Sequence, residues 1–543
     1  MPVELDLADI QGNILTAYGR LGFPKGRIML FHVHDGESGR RFVRELLPMI
    51  STALRWTSRQ GIPTGKIEVP KPEVTVNIAF TFQGLIKLGL PTRTLRGMPD
   101  EFMDGMAARA PMLGDDFSGP NWQESWDEVW VPRNRHNGSD SAAVHIMITL
   151  FAQMTPDGSA VAALDEKTQV IERLCRTSGG VWLLAGHNRK GNRKQPYQDL
   201  SALVKRNAKG ALTVSPKEHF GFTDGIGDPV FDGQYPNRFE RTFQEGNGAL
   251  DGKGNWRPLA TGEFLLGYPD EAQEIAGAAM PHAFSRNGTF LVYRKLHQNV
   301  AAFRKFINDT ADRFGAVFGI NNPEDAKETL LAKLAGRWQD GVPLSAAPTV
   351  EEWKNFNLKY PESDPNARYA AQAKVAFGDD PEGTKCPLGS HIRRANTRDM
   401  LDPLGGSAST LNNRRRILRR GLPYGKSPEN VSDESEHGIG MLIYCASLFR
   451  QFEFVQQQWI NYGFASRSGN DTCPIIGNHS RGKPGSTNGP KAKFAIAADP
   501  SSDRPPFIVE DIPQFVETRG GEYFFVPGLT ALRMIGTRAV DPT

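Results

Sequence analysis

The sequence predicts an α+β protein made of two ferredoxin-like βαββαβ units with antiparallel sheets, the second of them heavily decorated. Three observations lead to this prediction. The chain has 543 residues, which exceeds the usual size of a single domain. Its first third shows strand and helix patterns in the order β-α-β-β-α-β. A similar order recurs in the second half.

The first unit is predicted from hydrophobic periodicity. Apolar side chains alternate over residues 74–82, as in a half-buried strand, and recur at helical spacing over 39–56. The predicted elements are strands at 26–34, 74–82, 143–153 and 181–186, and helices at 39–56 and 164–176. Residues 83–142 would be a long excursion between the middle strands. We assign residues 1–215 to an N-terminal ferredoxin-like domain.

The second unit is predicted over residues 216–543 as a C-terminal ferredoxin-like domain. Its predicted elements are strands at 288–296, 440–449 and 521–528, helices at 299–315 and 450–462, and a second strand somewhere in 370–395. Three stretches rich in Gly, Pro and Asn are interpreted as insertions or loops: 236–262, 316–369 and 464–506.

Composition indicates a soluble protein without a strong charge bias. Hydrophobic residues make up 39% of the chain, charged residues 23%, and the net charge is +3. The mean hydropathy is −0.43. These values favour neither a nucleic acid nor a membrane as partner. Four widely spaced cysteines form no metal-binding pattern, and the acidic N-terminus does not resemble a signal peptide, so we expect reduced thiols and a cytoplasmic location.

The stretch "KEHFGFTDGIGDP", residues 217–229, predicts a tight turn that presents Asp224. Its glycines permit positive φ angles and close backbone approach, and Pro229 ends any regular element. Phe220 and Phe222 suggest partial burial, where a carboxylate needs a partner. Asp224 either hydrogen-bonds its own turn or faces a reacting group.

Two basic segments also carry candidate residues. His391 follows Gly-Ser and precedes Arg393, Arg394 and Arg398, a setting that suits an anionic cofactor such as haem with its propionates; the alternative is a solvated basic loop. The segment "NNRRRILRRGLPYG", residues 412–425, has five arginines in seven positions. It is either a basic surface helix or a segment in which Ile417 and Leu418 give Arg419 a different exposure from the arginines before it.

Taken together, the motifs resemble the dye-decolourising peroxidase family, and more closely its larger members. The resemblance rests on an ordered set that covers nearly the whole chain: "DIQGNIL" (9–15), "VNIAFTFQGLIKLGL" (76–90), "GFTDGIGDP" (221–229), "GSHIRRANTRD" (389–399), "RILRRGLPYG" (416–425), "GMLIYCASLFRQFEFVQQQW" (440–459) and "GGEYFFVPG" (520–528).

The resemblance implies haem b in the C-terminal unit, with hydrogen peroxide as oxidant and bulky aromatic reductants such as anthraquinone dyes, azo dyes and phenols. It implies that His391 is the proximal iron ligand, Asp224 the distal acid–base and Arg419 the distal arginine. Arg394 and Asn396 resemble positions that contact the propionates. Family members also have an acidic partner for the proximal imidazole. Its position here stays open among Glu453, Asp511, Glu517 and Gln514.

Two other functions compete with peroxidase activity. A haem carrier or an iron-releasing dechelatase would use the same His391 but would need neither Asp224 nor Arg419, so this pair favours a peroxidase. A protein without haem and with a basic nucleic-acid face would show no Soret band after haem reconstitution. The sequence leaves the oligomeric state open between monomer and dimer, and it identifies no particular Trp or Tyr as a surface electron relay.

Overall fold

The computed structural model describes most of the chain and shows an α+β architecture. The described residues are 3–56, 68–115, 126–130, 143–188, 194–207, 209–235, 244–250, 255–401, 410–479, 492–498 and 502–540. Within these ranges, no helix is both long and apolar enough to cross a bilayer.

One ten-stranded antiparallel sheet organises the described part of the molecule. Its strands are β1 (Lys25–Val33), β2 (Val74–Phe80), β3 (Ile146–Ala152), β4 (Val181–Leu183), β5 (Gln198–Ser201), β6 (Thr289–Gln298), β7 (Leu418–Arg419), β8 (Leu422–Tyr424), β9 (Gly438–Cys445) and β10 (Val516–Val526). The spatial order is β7-β9-β6-β10-β2-β3-β1-β4, with β8 beside β9 and β5 beside β1. Each half of this order is the strand order of a ferredoxin-like unit.

The two units therefore share a single sheet. Their junction is the antiparallel pairing of β10 with β2, at Phe525 and Phe80. Both phenylalanines are fully buried in a core that continues across the junction. The fold class predicted from the sequence is confirmed. The boundary between residues 215 and 216 stays a prediction.

One strand of the second unit lies elsewhere than predicted. Residues 370–395 contain no strand, and the helices Pro365–Ala373 and His391–Ala395 lie there instead. The missing strand is formed by β7 and β8, which pair with β9. This edge strand is short, is interrupted at Arg420 and Gly421, and contains Pro423, so the sequence shows no run of alternating residues there.

The helices follow the predicted order with shifted boundaries. The first helix ends at Leu46 rather than at residue 56, because the 3₁₀ turn Leu47–Met49 contains Pro48, which cannot donate a helical hydrogen bond. The other helices that flank the sheet are Ala163–Ser178, Val300–Phe318, the π-type pair Leu448–Glu453 and Val455–Ile460, and Leu529–Thr537.

The insertion predicted as loop at 316–369 is largely helical. It contains the helices Pro323–Ala335 and Val350–Lys359 and the start of Pro365–Ala373. Asn322 and Asp364 cap two of them, and Thr349 forms a capping box with Glu352. These cap signals are present in the sequence and indicate helices, whereas the Gly and Pro content of the same stretch favours the predicted loop. The predicted loops 236–262 and 464–506 are only partly within the described residues.

The smaller elements complete the description. Short helices are Gly12–Leu15, Phe82–Lys87, Thr92–Leu95, Asp100–Asp104, Met106–Leu113, His282–Ser285 and Thr410–Asn413, and 3₁₀ turns are Tyr18–Leu21, Glu128–Trp130, Thr261–Glu263 and Phe464–Ser466. Two-stranded ribbons pair Arg55–Trp56 with Glu68–Val69, Val204–Arg206 with Leu212–Val214, Ala249–Leu250 with Trp256–Arg257, and Phe494–Ile496 with Phe507–Val509.

Candidate active site

A cavity of about 300 Å³ lies beside the sheet of the second unit. Strands β6, β9 and β10 contribute to its lining, together with the Asp224 turn, the helix that begins at His391 and the helix Val455–Ile460. Most of its lining is apolar, with a few converging charged groups, which is the usual character of a cofactor site. Asp224, His391 and Arg419 all line this one cavity, although up to 195 residues separate them in the chain.

Asp224 is presented by the tight turn that the sequence predicts. Gly225 and Gly227 have φ angles of 88° and 83°, which an L-residue adopts only with strain. The Asp224 backbone N–H donates to the Pro216 carbonyl, and its Oδ1 accepts a 2.6 Å hydrogen bond from the Gly225 N–H. The turn thus holds the carboxylate itself and directs it into the cavity.

Arg419 meets Asp224 from the edge strand β7. Its Nη1 donates to Asp224 Oδ1 at 2.9 Å, and its Nη2 lies 3.4 Å from the Ile226 carbonyl oxygen. The register of β7 places Arg419 opposite Ile443 of β9, which also lines the cavity. The carboxylate of Asp224 therefore bonds its own turn, as the first hypothesis states, and also pairs with a charged cavity group; that it faces a reacting group stays a prediction.

The arginine run 414–420 is not a basic surface helix. Arg414 pairs with Asp270 and Glu274, and Arg420 pairs with Asp228. Arg415 lies over the Phe454 ring. Only Arg416 and Arg419 of this run line the cavity. The five side chains diverge because the chain turns from a short helix into an edge strand within the run.

His391 begins the helix His391–Ala395 and supplies a neutral imidazole to the cavity. Burial, reinforced by the charge of Arg419, lowers the pKa of His391 to about 4, while Asp224 acts weakly in the opposite direction. A neutral ring keeps the free electron pair that a metal ligand needs. Its Nδ1 lies 3.3 Å from Cys473 Sγ.

The two residues expected near the propionates have different positions. Asn396 lines the cavity, and its Oδ1 is buried without a hydrogen-bond partner among the described residues. Arg394 does not line the cavity. It is buried behind the helix and donates to the carbonyls of Gly389, Trp459 and Asp471. Its guanidinium group therefore anchors the helix His391–Ala395 and does not face the cavity.

Three other arginines line the cavity: Arg337, Arg398 and Arg416. The sequence analysis placed Arg398 in the basic patch beside His391 but did not assign Arg337 and Arg416 to this role. Their hydrogen bonds go to backbone carbonyls, and no carboxylate of the described residues pairs with them. Burial lowers the pKa of Arg337 to about 9 and that of Arg398 to about 10. Buried cations without counter-ions fit a cofactor that brings its own carboxylates. The residues present therefore fit haem.

Glu218 is a second carboxylate of the cavity that sequence reasoning passed over, although it lies in the same quoted stretch. Its oxygens accept the N–H groups of Phe220 and Phe222 and a hydrogen bond from Gln298. Burial raises the pKa of Glu218 to about 7. Glu218 thus organises the turn that carries Asp224.

In the described part of the chain, the recorded hydrogen bond of the His391 ring is to Cys473 and not to any of the four candidate partners. Glu453 is bound to Arg109 and Tyr523, and Glu517 to Asn299 and Arg519. Gln514 lines the cavity but donates to the carbonyls of Gly477 and Val516. Among the described residues, the hydrogen-bond partner of His391 Nδ1 is Cys473.

Comparison with known proteins agrees with this architecture. A family profile described as "DyP dimeric alpha+beta barrel domain" matches residues 9–178. Peroxidase 2 of Mycetinis scorodonius is 27% identical over 98% of this chain and 88% of its own length. The dye-decolorizing peroxidase AauDyP1 of Auricularia auricula-judae is 26% identical over 97% of this chain and 86% of its own.

Solved structures show the same fold over the full chain. An ancestral D-type dye decolorizing peroxidase superposes with a TM-score of 0.70 at 25% identity, covering 98% of this chain and 99% of the other. The fold is shared with a dye decolorizing peroxidase, and the cavity brings together a histidine, an aspartate and an arginine. Over nearly its whole length the chain is similar to dye-decolourising peroxidases, and residues 9–178 match the profile of that family.

Proposed function

We propose that this protein is a haem-dependent peroxidase that uses hydrogen peroxide to oxidise bulky aromatic compounds, such as anthraquinone and azo dyes and phenols, in one-electron steps. The observation that carries the proposal is the meeting of His391 with the Asp224–Arg419 pair in one cavity. Relatives named as dye-decolorizing peroxidases support the substrate class, and one solved relative is a complex with 2,6-dimethoxyphenol.

The cofactor is haem b in this proposal. His391 would bind the iron through its Nε2, because its Nδ1 faces Cys473. Arg337, Arg398, Arg416 and the unsatisfied Asn396 would hold the propionates. When bound, haem supplies an iron centre that accepts peroxide and stores oxidising equivalents.

The protein's own residues supply the proton and charge chemistry. Asp224 accepts a proton from one oxygen of hydrogen peroxide and delivers it to the other, which leaves as water. Arg419 keeps its charge and offers fixed N–H donors to the oxygen on which negative charge develops. The hydrogen bond between the two side chains holds them at one place in the cavity.

The same pair separates this function from a haem carrier or a dechelatase. A carrier needs a ligand and anion-binding groups, which His391 and the buried arginines provide. It has no use for a charged acid–base pair that faces the cavity. Location in the cytoplasm stays a prediction, and the buried free thiols of all four cysteines are compatible with it.

The experiment that tests the proposal compares the wild type with His391→Ala after haem reconstitution. The wild type should give a Soret band that changes within milliseconds to seconds after one equivalent of hydrogen peroxide. His391→Ala should lose haem or bind it weakly, because the axial ligand is gone. Full Soret intensity with an unchanged axial-ligand spectrum in the variant would rule out His391 as the ligand. An inert wild-type Soret band would favour a carrier.

A further inference from the structure

The sulfur of Cys473 lies beside Nδ1 of His391, the ring nitrogen that does not bind the iron in the proposed function. The Nδ1–Sγ distance is 3.3 Å. Cys473 is fully buried, and a thiol sulfur can act as a weak acceptor for an N–H of the His391 ring.

The backbone of Cys473 is fixed on both sides. Its N–H donates to the Ile460 carbonyl at 2.7 Å. Its carbonyl accepts from the Gly477 N–H and lies 2.8 Å from His479 Nε2. Ile460 also lines the cavity. This bracing fixes the backbone of Cys473 beside the cavity wall.

The chemistry of a ligating histidine gives this contact a role. An imidazole that binds iron through Nε2 carries its proton on Nδ1, and that N–H needs an acceptor. The acceptor sets the ring orientation and the electron density that the imidazole gives to the metal. Among the described residues, the hydrogen-bond partner of Nδ1 is Cys473 Sγ, while the carboxylates of Glu453 and Glu517 are engaged elsewhere.

We propose that Cys473 is the positioning residue for His391: its sulfur accepts the Nδ1–H hydrogen bond and limits the electron donation of the imidazole to the haem iron. This inference rests on the proposed function, since it takes His391 as the ligand. A thiol sulfur is a weaker acceptor than a carboxylate. The imidazole consequently keeps less anionic character than a carboxylate partner would impose.

The test compares the wild type with one variant that lacks the acceptor and with another that has a stronger acceptor. Haem-reconstituted Cys473→Ala and Cys473→Asp are compared with wild type by the Fe(III)/Fe(II) midpoint potential and by the iron–histidine stretching frequency of the ferrous form. Cys473→Ala should shift the potential upward and the frequency downward, and Cys473→Asp should shift both the opposite way. Losing such a partner typically costs about 10–100-fold in metal affinity or activity, so haem affinity should fall in Cys473→Ala.

Cys175→Ser is the matched control, because it changes a buried free thiol of the first unit, whose sulfur lies by the Val181 carbonyl. It should leave potential and frequency unchanged. If Cys473→Ala proves too unstable, Cys473→Ser keeps a side chain of similar size with an acceptor atom. Cys473→Asp alone still has to lower the midpoint potential and raise the stretching frequency. Wild-type values in Cys473→Asp, or shifts of both variants to the same side, would overturn the role of Cys473.

The two proposals fail in different ways. If His391→Ala loses the axial-ligand spectrum while the Cys473 series shows no shift, only the Cys473 inference is rejected. If His391→Ala keeps that spectrum, His391 is not the ligand and both fall.

Discussion

Asp224 and Arg419 form an ion pair that contributes little to stability. Their side chains are 35% and 32% exposed, and pairs of this kind are worth about 0–1 kcal/mol. The neighbouring Arg420–Asp228 pair is far more buried, with side chains 4% and 12% exposed. Adjacent arginines of one run therefore have different tasks, with Arg419 available for chemistry and Arg420 for the fold.

Substitutions at these positions should separate the two tasks. Asp224→Asn should retain haem but slow the reaction with peroxide by about 10²–10⁴, because the proton acceptor is lost. Arg419→Leu should slow it by about 10²–10³, because a fixed donor to the developing charge is lost. Stopped-flow measurement of the Soret change after adding peroxide gives both rates.

Arg420→Leu is the control for the neighbouring position. It should lower the melting temperature while haem-loaded protein still reacts with peroxide near the wild-type rate. Normal reactivity in Arg419→Leu together with slow reactivity in Arg420→Leu or Arg416→Leu would mean that another arginine performs the distal role.

Glu218 should make the stability of the apoprotein depend on pH. Its pKa is raised from 4.5 to about 7 in the folded protein, mainly by burial. Between these values the folded state holds a proton that the unfolded state has released, so the free energy of unfolding should fall as pH rises through this window. Glu218→Gln should show a flatter dependence between about pH 5 and pH 8 in chemical denaturation.

The exposed Glu362→Gln serves as the matched substitution and should reproduce the wild-type pH dependence. A wild-type slope through this window that Glu218→Gln leaves unchanged would assign the dependence to other groups.

Among the elements, the turn 217–229 has the strictest backbone requirement. Its glycines take left-handed angles, and Glu218 braces the turn through two backbone N–H groups. The edge strand β7 brings Arg419 to the same place by pairing with β9. The site therefore depends on how a turn and an edge strand meet.

Gly227→Ala should destabilise the protein by about 1–2 kcal/mol, because the φ angle of 83° strains any residue with a Cβ. The space is sufficient, since the nearest atom, Arg398 Nη2, would lie 3.5 Å from the new Cβ. Chemical denaturation measures the loss, and the peroxide reaction should slow as the turn shifts.

Gly277→Ala is the control, because its Cβ would meet nothing within 4 Å and its φ angle is ordinary. Equal stability of the two variants would show that the turn tolerates a side chain at Gly227.

On the scale of the whole molecule, the cavity lies beside the part of the shared sheet that belongs to the second unit. Some aromatic side chains are exposed at the surface. Tyr462 is 43% exposed and stacks on the exposed Phe464. It lies two residues after Ile460, which lines the cavity. Trp182 is equally exposed but lies on β4 at the far end of the sheet order.

Dye oxidation should work on the acid side, at roughly pH 3–5, because a carboxylate with a reference pKa of ~4 can remain ionised at pH values where a histidine would be protonated. Protonation of Asp224 sets the lower limit of this range. If dyes react at the surface, Tyr462→Phe should slow their turnover and leave the peroxide step unchanged. Both steps are measured across pH in wild type, Tyr462→Phe and the control Trp182→Phe.

An optimum near neutral pH would refute the acid-side expectation. Unchanged dye turnover in Tyr462→Phe, and in every other single or combined Trp and Tyr variant, would favour electron transfer at the cavity edge instead.

Several features of this protein were determined by the sequence alone. Periodicity specified the first ferredoxin-like unit and three strands and two helices of the second, since apolar alternation and helical spacing are local consequences of which face is buried. The glycine pattern specified the turn around Asp224, because positive φ angles are a local property. The Gly-Ser-His setting and the family motifs pointed to His391 and Arg419, which the structure brings into one cavity.

Only the tertiary structure decided which neighbours face the cavity. Arg394 lies three residues after His391 yet turns toward backbone carbonyls, while Arg337 and Arg416, far apart in sequence, converge. Cys473 reaches His391 across 82 residues of chain. The physical reason is that side-chain direction depends on packing between distant elements, whereas sequence patterns report only the local backbone and the buried face.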